Sequence, residues 1–421
     1  MREMKASGVT WIGMIPSTWE IDNPKWHFTQ RKDRATPGLT QLTASQKYGL
    51  ISQEEYMSRM GAKIVVVEKD FDILKLVCAG DFVIHMRSFQ GGLEYSEQTG
   101  STSSAYVMLI PKKTILEPRY YKWFFKSTAY IDALSSTTNL VRDGQAMRWA
   151  NFIQLPILFP PEDEQIAIAS LLDEKTAEID EVTEGIQAEI DALELYKRSV
   201  ITEAAVKGLH PNTPMQKTGI EYAGEIPGHW AMHPVYYYFG ERKHKNVLGQ
   251  EENLLSLSYG RVIRRDINAN GGLLPESFTT YNIIEAGDII IRPTDLQNDK
   301  RSLRTGLATE HGIITSAYIA LKPIKPVNTS YFHYLLHAFD VMKVFYNMGN
   351  GVRQGFNYSE FSKLMVFEPS LHEQDEIVAY LDYRCGEIDH AIADKHKQLE
   401  VLDEYKKSLI YEYVTGKKEV V

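Results

Sequence analysis

GVTWIGMIPSTWEI (residues 8–21) returns half a chain later as GIEYAGEIPGHWAM (residues 219–232), and neither copy carries obvious chemistry. Gly8, Gly13, Ile15, Pro16 and Trp19 align with Gly219, Gly224, Ile226, Pro227 and Trp230 at an offset of 211 residues. A period this long exceeds any solenoid unit and implies a duplicated domain. Further pairs follow in chain order: Tyr48-Gly49 with Tyr259-Gly260, Ala79-Gly80-Asp81 with Ala286-Gly287-Asp288, Ser104-Ala105-Tyr106 with Ser316-Ala317-Tyr318, and NLVRDG (139–144) with NGVRQG (350–355). PPEDEQIAIASLLDEKTAEID (160–180) faces PSLHEQDEIVAYLDYRCGEID (369–389) at an offset of 209. The Gly-Ile-Pro-Trp stretch reads as a framing element, with Gly for a turn, Pro to fix the chain, and Trp19 or Trp230 as an anchor at the base of each block.

Each copy is a block of about 150 residues followed by a long helix. The blocks are rich in Gly, aromatic and β-branched residues, and runs such as KIVVVEKDFDILKL and AGDIIIRP suggest short strands, so α+β is expected. From Glu162 to about Val206 there is no proline. Apolar residues recur there at heptad-like spacing: Ile168, Leu172, Ile179, Val182, Ile186, Leu193, Tyr196 and Val200. The second copy keeps the register at Ile377, Leu381, Ile388, Ala391, Lys395, Leu402, Tyr405 and Leu409, and Pro160-Pro161 and Pro369 stop extension upstream. Two matching stripes, each on a helix of roughly 60 Å, are most simply satisfied by pairing with one another, the alternative being that each helix packs on its own domain. An antiparallel orientation follows from the need to connect the halves through the second block, not from the periodicity. The expected fold is two tandem homologous α/β domains separated by two long helices that form an antiparallel coiled coil with pseudo-twofold symmetry. The expected boundaries are 1–160 and 209–369 for the domains, 161–208 and 370–415 for the helices, and 416–421 for a tail.

A chain of 421 residues with 43% hydrophobic composition can build two or three cores. No apolar run reaches membrane-spanning length and MREMKASGVTW lacks a signal-peptide core, so a cytoplasmic protein with no membrane partner is expected. Cys78 and Cys385 form no Cys-x-x-Cys or zinc pattern and read as reduced structural thiols. The net charge of −9 is unevenly spread. Residues 1–155 hold 19 Lys+Arg against 15 Asp+Glu, and residues 211–363 hold 16 against 14. The helical regions 156–210 and 364–421 hold 4 against 13 and 7 against 13. Two mildly basic blocks alternate with two acidic ones, leaving room for a phosphate-bearing ligand on the blocks.

This arrangement of paired G-x-x-x-x-G-x-I-P-x-x-W segments and P-x-x-E-Q-x-x-I-A-x-x-L-D wording (161–173) resembles the specificity subunit of type I restriction-modification systems, over nearly the whole chain. The resemblance implies that each block is a target recognition domain reading one half of a split sequence in double-stranded DNA. It also implies that the helices space the readers and dock two methyltransferase subunits, to which restriction subunits are added. S-adenosylmethionine, ATP and Mg would then be cofactors of those partners, with none in this chain and no catalysis of its own.

Because frames match while loops diverge, DNA contacts are expected in the divergent loops, with Lys and Arg on phosphates and polar side chains on base edges. The candidates are Arg31, Lys32, Arg34, Lys47, Tyr48, Arg87, Ser88 and Gln90 in the first block. In the second they are Arg242, Lys243, Lys245, Tyr259, Arg261, Arg264, Arg265, Lys300, Arg301 and Arg304. Lys47-Tyr48 and Tyr259-Gly260-Arg261 stand out because each combines a cation with an aromatic at a turn. Enzyme readings fare poorly. DNPKW (22–26) departs from an adenine-holding Asn-Pro-Pro-aromatic loop at Lys25, and PPED (160–163) with Asp173-Glu174-Lys175 loosely mimics a metal-dependent nuclease signature but lies on an expected helix, as ion-paired surface. GNGVRQG lacks the Gly-Lys-Ser/Thr ending of a phosphate loop, and the twelve histidines show no metal-ligand spacing. A coiled-coil scaffold with non-DNA ligands is the alternative, and it leaves the two divergent blocks unexplained.

Overall fold

In a computed structural model of the chain, which describes residues 2–61, 73–138, 147–267, 275, 277–294, 296, 303–348 and 355–420, short antiparallel strands build a matching sheet in each block. In the first block the order is Phe28–Arg31, Val107–Pro111, Phe82–Ile84, Glu94–Tyr95. In the second it is Phe239–Glu241, Ile319–Pro323, Ile289–Ile291, Thr305–Leu307. Equivalent leucines sit at equivalent places: Leu109 pairs with Gln30 and Phe82, and Leu321 with Glu241 and Ile289. AGDIIIRP supplies the central strand Ile289–Ile291, every residue of it buried. Most of KIVVVEKDFDILKL, and all of 139–144 and 350–354, lie outside the described residues.

The long helices span Glu162–Lys207 and Leu371–Val414. Packing divides the chain into two compact units, one of Met1–Ile186 with Lys397–Val421 and the other of Gln187–His396. Each unit thus contains one head, the start of the helix that follows it and the end of the other long helix, whereas the sequence reading drew its boundaries at the helix ends.

Within the first unit, Ile168, Leu172 and Ile179 share a core with Leu409, Ile410, Tyr413 and Val414, against which Leu402 packs. Lys406 Nζ lies 2.6 Å from Asp180. Within the second, Ile377, Leu381 and Cys385 share a core with Val200, Ile201, Ala204 and Ala205, and Ile388 is also buried. Lys197 Nζ lies 2.6 Å from Asp389, and Lys395 pairs with Glu189. Rising numbers on one segment meet falling numbers on the other, so these segments run antiparallel. The two Glu-Ile-Asp copies play the same part in both units: the isoleucine enters the core and the aspartate receives a lysine from the facing helix.

The heptad reading needs correction in the middle of the first helix. Val182 is 51% exposed, Ile186 and Leu193 are only partly buried, and Ile190 is the inward residue at 2%. Tyr196 and Tyr405 are also exposed, at 47% and 52%. A straight helix of 3.6 residues per turn drifts about 20° per heptad, which carries a strict seven-residue repeat off the buried face.

The framing stretch acts as a pin. Trp19 and Trp230 are buried, and their indole Nε1 groups each donate at 3.0 Å to the glutamate of the two Glu-Gln copies, Glu164 and Glu373. The neighbouring glutamines, Gln165 and Gln374, donate back to Pro160 and Pro369 carbonyls at 2.8 and 3.0 Å. Opposite each indole, at 6.3 Å and edge-on, stand Tyr120 and Tyr331. Their hydroxyls donate to the Val414 and Ala205 carbonyls in the last turn of a long helix, at 2.7 and 3.2 Å. Gly416 and Gly208 close those turns at φ +68° and +74°, so close that a Cβ would meet Trp19 and Trp230 at 3.0 and 3.2 Å. The start of one long helix and the end of the other are thereby clamped to each head.

Two histidines on the helix Thr329–Val341 make the second unit acid-sensitive. Burial pushes His333 down to about 4, and burial with His333, Lys197 and Arg198 nearby pushes His337 down to about 3. A depressed histidine leaves the unfolded chain the stronger proton acceptor. Its stabilising contribution is complete above the ordinary pKa of about 6.5 and is lost as pH falls towards the folded value. Melting curves between pH 7 and 5 should show a loss of about 2 kcal/mol per histidine, and His337→Gln should flatten that slope.

No helix among the described residues is long and apolar enough to cross a membrane. Cys78 and Cys385 are both free thiols.

Candidate nucleic-acid interface

Each head carries a hairpin whose tip presents a cation and an aromatic. In the second head, Leu255–Ser258 pairs with Arg261–Arg264 and closes on Tyr259 and Gly260. Both have positive φ, +48° and +78°, as a two-residue type I′ turn requires. Tyr259 is 74% exposed. Arg261 lies 3.3 Å from Asp389 on the long helix of its own unit, and Arg264 Nε donates to Glu310 at 2.6 Å. That hydrogen bond raises the Arg264 pKa and lowers that of Glu310. In the first head, Leu42–Ser45 pairs with Gly49–Ser52 around a three-residue loop. Lys47 and Arg59 both stand over the Tyr48 ring, at 5.0 and 4.7 Å, and Lys47 lies 3.9 Å from Glu184 on the long helix. The hairpin turns thus bring Lys47 with Tyr48, and Tyr259 with Arg261, to equivalent places.

The remaining candidates divide by burial. Lys32, Arg87, Gln90 and Arg265 are exposed, and Lys243 is exposed beside Glu241 at 2.8 Å. Arg34 donates to the Ile73 carbonyl at 2.7 Å, and Lys245 to the Thr280 carbonyl at 2.9 Å, so part of each is held by its own loop. Arg31 and Arg242 have another role. They pair with Asp81 and Asp288, the aspartates of the two Ala-Gly-Asp copies, both 1% exposed. Burial raises the Asp288 pKa against the opposing pull of Arg242, so an ionised Asp288 depends on its arginine. These are structural ion pairs of the duplicated frame.

Ser88 is fully buried, its hydroxyl accepting from the His85 backbone N–H at 2.9 Å, and it is unreachable by DNA. Arg304 is likewise fully buried: its guanidinium donates to the Arg292 and Thr294 carbonyls and its backbone N–H to Asp340 at 2.8 Å. An arginine needs such partners to be buried, and this one builds the core. Lys300 and Arg301 lie outside the described residues.

Two of the enzyme-like patterns fall within the described residues. Trp26 of DNPKW ends a 3-10 turn, 60% exposed with Lys25 stacked on it at 4.8 Å. Asp173 accepts from Trp123 Nε1 at 2.9 Å and lies 3.4 Å from Arg119, which ties the first long helix to its head. Among the described residues no group of three or more potential ligands is placed to hold a metal ion.

No family model and no curated protein matches the chain in sequence. Solved structures do match. A chain from work described as "Structural basis underlying complex assembly and conformational transition of the type I R-M system" superposes with a TM-score of 0.64 at 12% identity, over 96% of this chain and 99% of that one. The HsdS subunit from Thermoanaerobacter tengcongensis matches at 14% identity and a TM-score of 0.47, over 96% and 98% of the two chains. The type I restriction-modification S subunit from M. genitalium matches at 14% identity and 0.36, over 94% and 96%. The first of these matches shows that the chain has the fold of a type I restriction-modification system chain over 96% of its length.

Proposed function

We propose that this chain is the DNA sequence-specificity subunit of a type I restriction-modification complex. Each head recognises one half of a bipartite duplex target, and the duplicated units dock two methyltransferase subunits, through which restriction subunits join. The chain performs no catalysis, and S-adenosylmethionine, ATP and Mg act on the partner subunits. The observation that carries this reading is end-to-end likeness to a type I system chain, at a TM-score of 0.64, in a molecule whose two heads share a frame and differ in their hairpins. A shared frame with divergent faces suits two readers of different sequences, and equivalent docking surfaces suit two copies of one partner.

The test is to express the chain with its methyltransferase partner and map methylated bases in the host DNA. A split site with two defined halves is expected, and methylation without sequence preference would refute the reading. Inserting four residues, about one turn, near Thr183 should alter the number of unread base pairs between the halves and leave their bases unchanged. Methylation at the old spacing would contradict a measuring role for the helices.

A further inference from the structure

The two heads share a hairpin but differ in what covers it. Side chains alternate between the faces of a strand, so each hairpin has one face towards its sheet and one away from it. In the first head Leu42, Ala44 and Leu50 face the core. The opposite face is closed as well: Ser45 and Ile51 are each 8% exposed, and the helix Gln53–Met60, which follows without a break, packs on both strands. In the second head Leu255, Leu257 and Val262 face the core. The pairing Ser256 with Ile263 and Ser258 with Arg261 then puts these four on the other face. That face is open at Arg261 and Ile263, 73% and 41% exposed, with Ser256 and Ser258 partly buried beside them.

We propose that the hairpin Leu255–Arg264 is a two-stranded ribbon that enters the major groove of duplex DNA and reads the half-site of the second head through Ser256, Ser258, Arg261 and Ile263. This rests on the reading of the chain as a DNA-specificity subunit. The major groove of B-DNA admits a two-stranded ribbon, and these side chains suit its edges: arginine pairs bidentately with guanine, serine hydrogen-bonds to any base, and an aliphatic group packs on the thymine methyl. The spacing fits as well. Alternate residues on an antiparallel strand lie about 6.8 Å apart, two steps of the roughly 3.4 Å rise per base pair, so the face spans two to three base pairs.

Two further features favour this hairpin. Tyr259 holds φ +48° at a 74% exposed tip, where Asn or Gly would relieve a strain of about 1 kcal/mol or more. A strained, exposed aromatic beside the Arg261 face is suited to bracing the ribbon against the groove wall. Asp389, already bonded to Lys197, lies at 3.3 Å from one guanidinium nitrogen of Arg261 and steadies the side chain while its other donors remain available. The first head, its equivalent face closed, reads with other elements.

The test uses the full chain co-expressed with its methyltransferase partner, with methylated sites mapped genome-wide for wild type, Arg261→Lys and Ile263→Ala. Arg261→Lys keeps the charge and loses the bidentate fork, so discrimination at one base pair of one half-site should fall about tenfold or more, with the other half-site and the spacing unchanged. Ile263→Ala should relax a neighbouring position in the same half-site. An unchanged site in both variants, or an equal loss of methylation at every position, overturns the ribbon. A wild-type chain that directs no sequence-specific methylation overturns the specificity-subunit reading and the ribbon with it.

Discussion

Leu381→Asp is expected to unfold the second unit under conditions where the wild-type chain is folded. Leu381 is fully buried, in one core with Trp230, Ile377, Cys385 and the end of the first long helix. Removing a buried leucine costs about 2–5 kcal/mol, and a carboxylate in its place adds the cost of an unpaired polar group in an apolar site. A total of about 5 kcal/mol or more matches the whole stability of an ordinary domain. At about 2–4 °C per kcal/mol for a unit of this size, the melting temperature should fall by more than about 10 °C, read by circular dichroism. Leu172→Asp should do the same to the first unit. Val182→Asp, at a site the heptad pattern ranks equal but which is 51% exposed, should change stability by less than about 0.5 kcal/mol. Equal damage from Val182→Asp and Leu172→Asp would contradict the observed pairing of the helix faces.

Trp230→Ala should be nearly as severe. The indole is 3% exposed, packs edge-on to Tyr331, touches the helix-closing Gly208 and donates to Glu373. Truncating a buried tryptophan costs about 3–5 kcal/mol, and the cavity would lie where both long-helix ends meet the head. Trp230→Phe separates the contributions. It keeps most of the packing and leaves Glu373 only its bond to His229 at 2.9 Å, so a loss of about 1–3 kcal/mol is expected. Denaturant midpoints for the two variants and for Trp19→Ala give the comparison. A Phe variant as stable as wild type would mean that the indole hydrogen bond contributes nothing.

Much of this frame was legible in the sequence because duplication writes the same constraint twice. The buried tryptophans and the positions of the long helices follow from repeated motifs and proline placement. The partner of each tryptophan was also visible, as the glutamate of the repeated Glu-Gln pair, but spacing alone does not say that residues 143 apart touch, as Trp230 and Glu373 do. The lysines that meet Asp180 and Asp389 sit in a further repeat, Tyr196-Lys197-Arg198-Ser199 with Tyr405-Lys406-Lys407-Ser408, of which the heptad reading used only the two tyrosines. Among the DNA candidates, charge and loop placement did not separate exposed Arg87 and Arg265 from Arg31, Arg242 and Arg304, which serve buried carboxylates or carbonyls. Burial depends on which acid or carbonyl the fold brings alongside. Ser256, Ser258 and Ile263, which the proposed ribbon uses, were not among the candidates, although the alternation in LSLSYGRVIR already marked one face of a strand pair.

The division of labour within each head has an evolutionary consequence. Tryptophan to glutamate, tyrosine to helix carbonyl and arginine to buried aspartate hold the scaffold, and the outer face of the second hairpin contributes to none of them. If the outer face is the reading surface proposed above, selectivity and folding reside in separate sets of atoms, and substitutions at Ser256, Ser258 or Ile263 can accumulate with little effect on thermal stability. A lineage carrying this architecture can drift from one preferred ligand to another through intermediates that all remain folded.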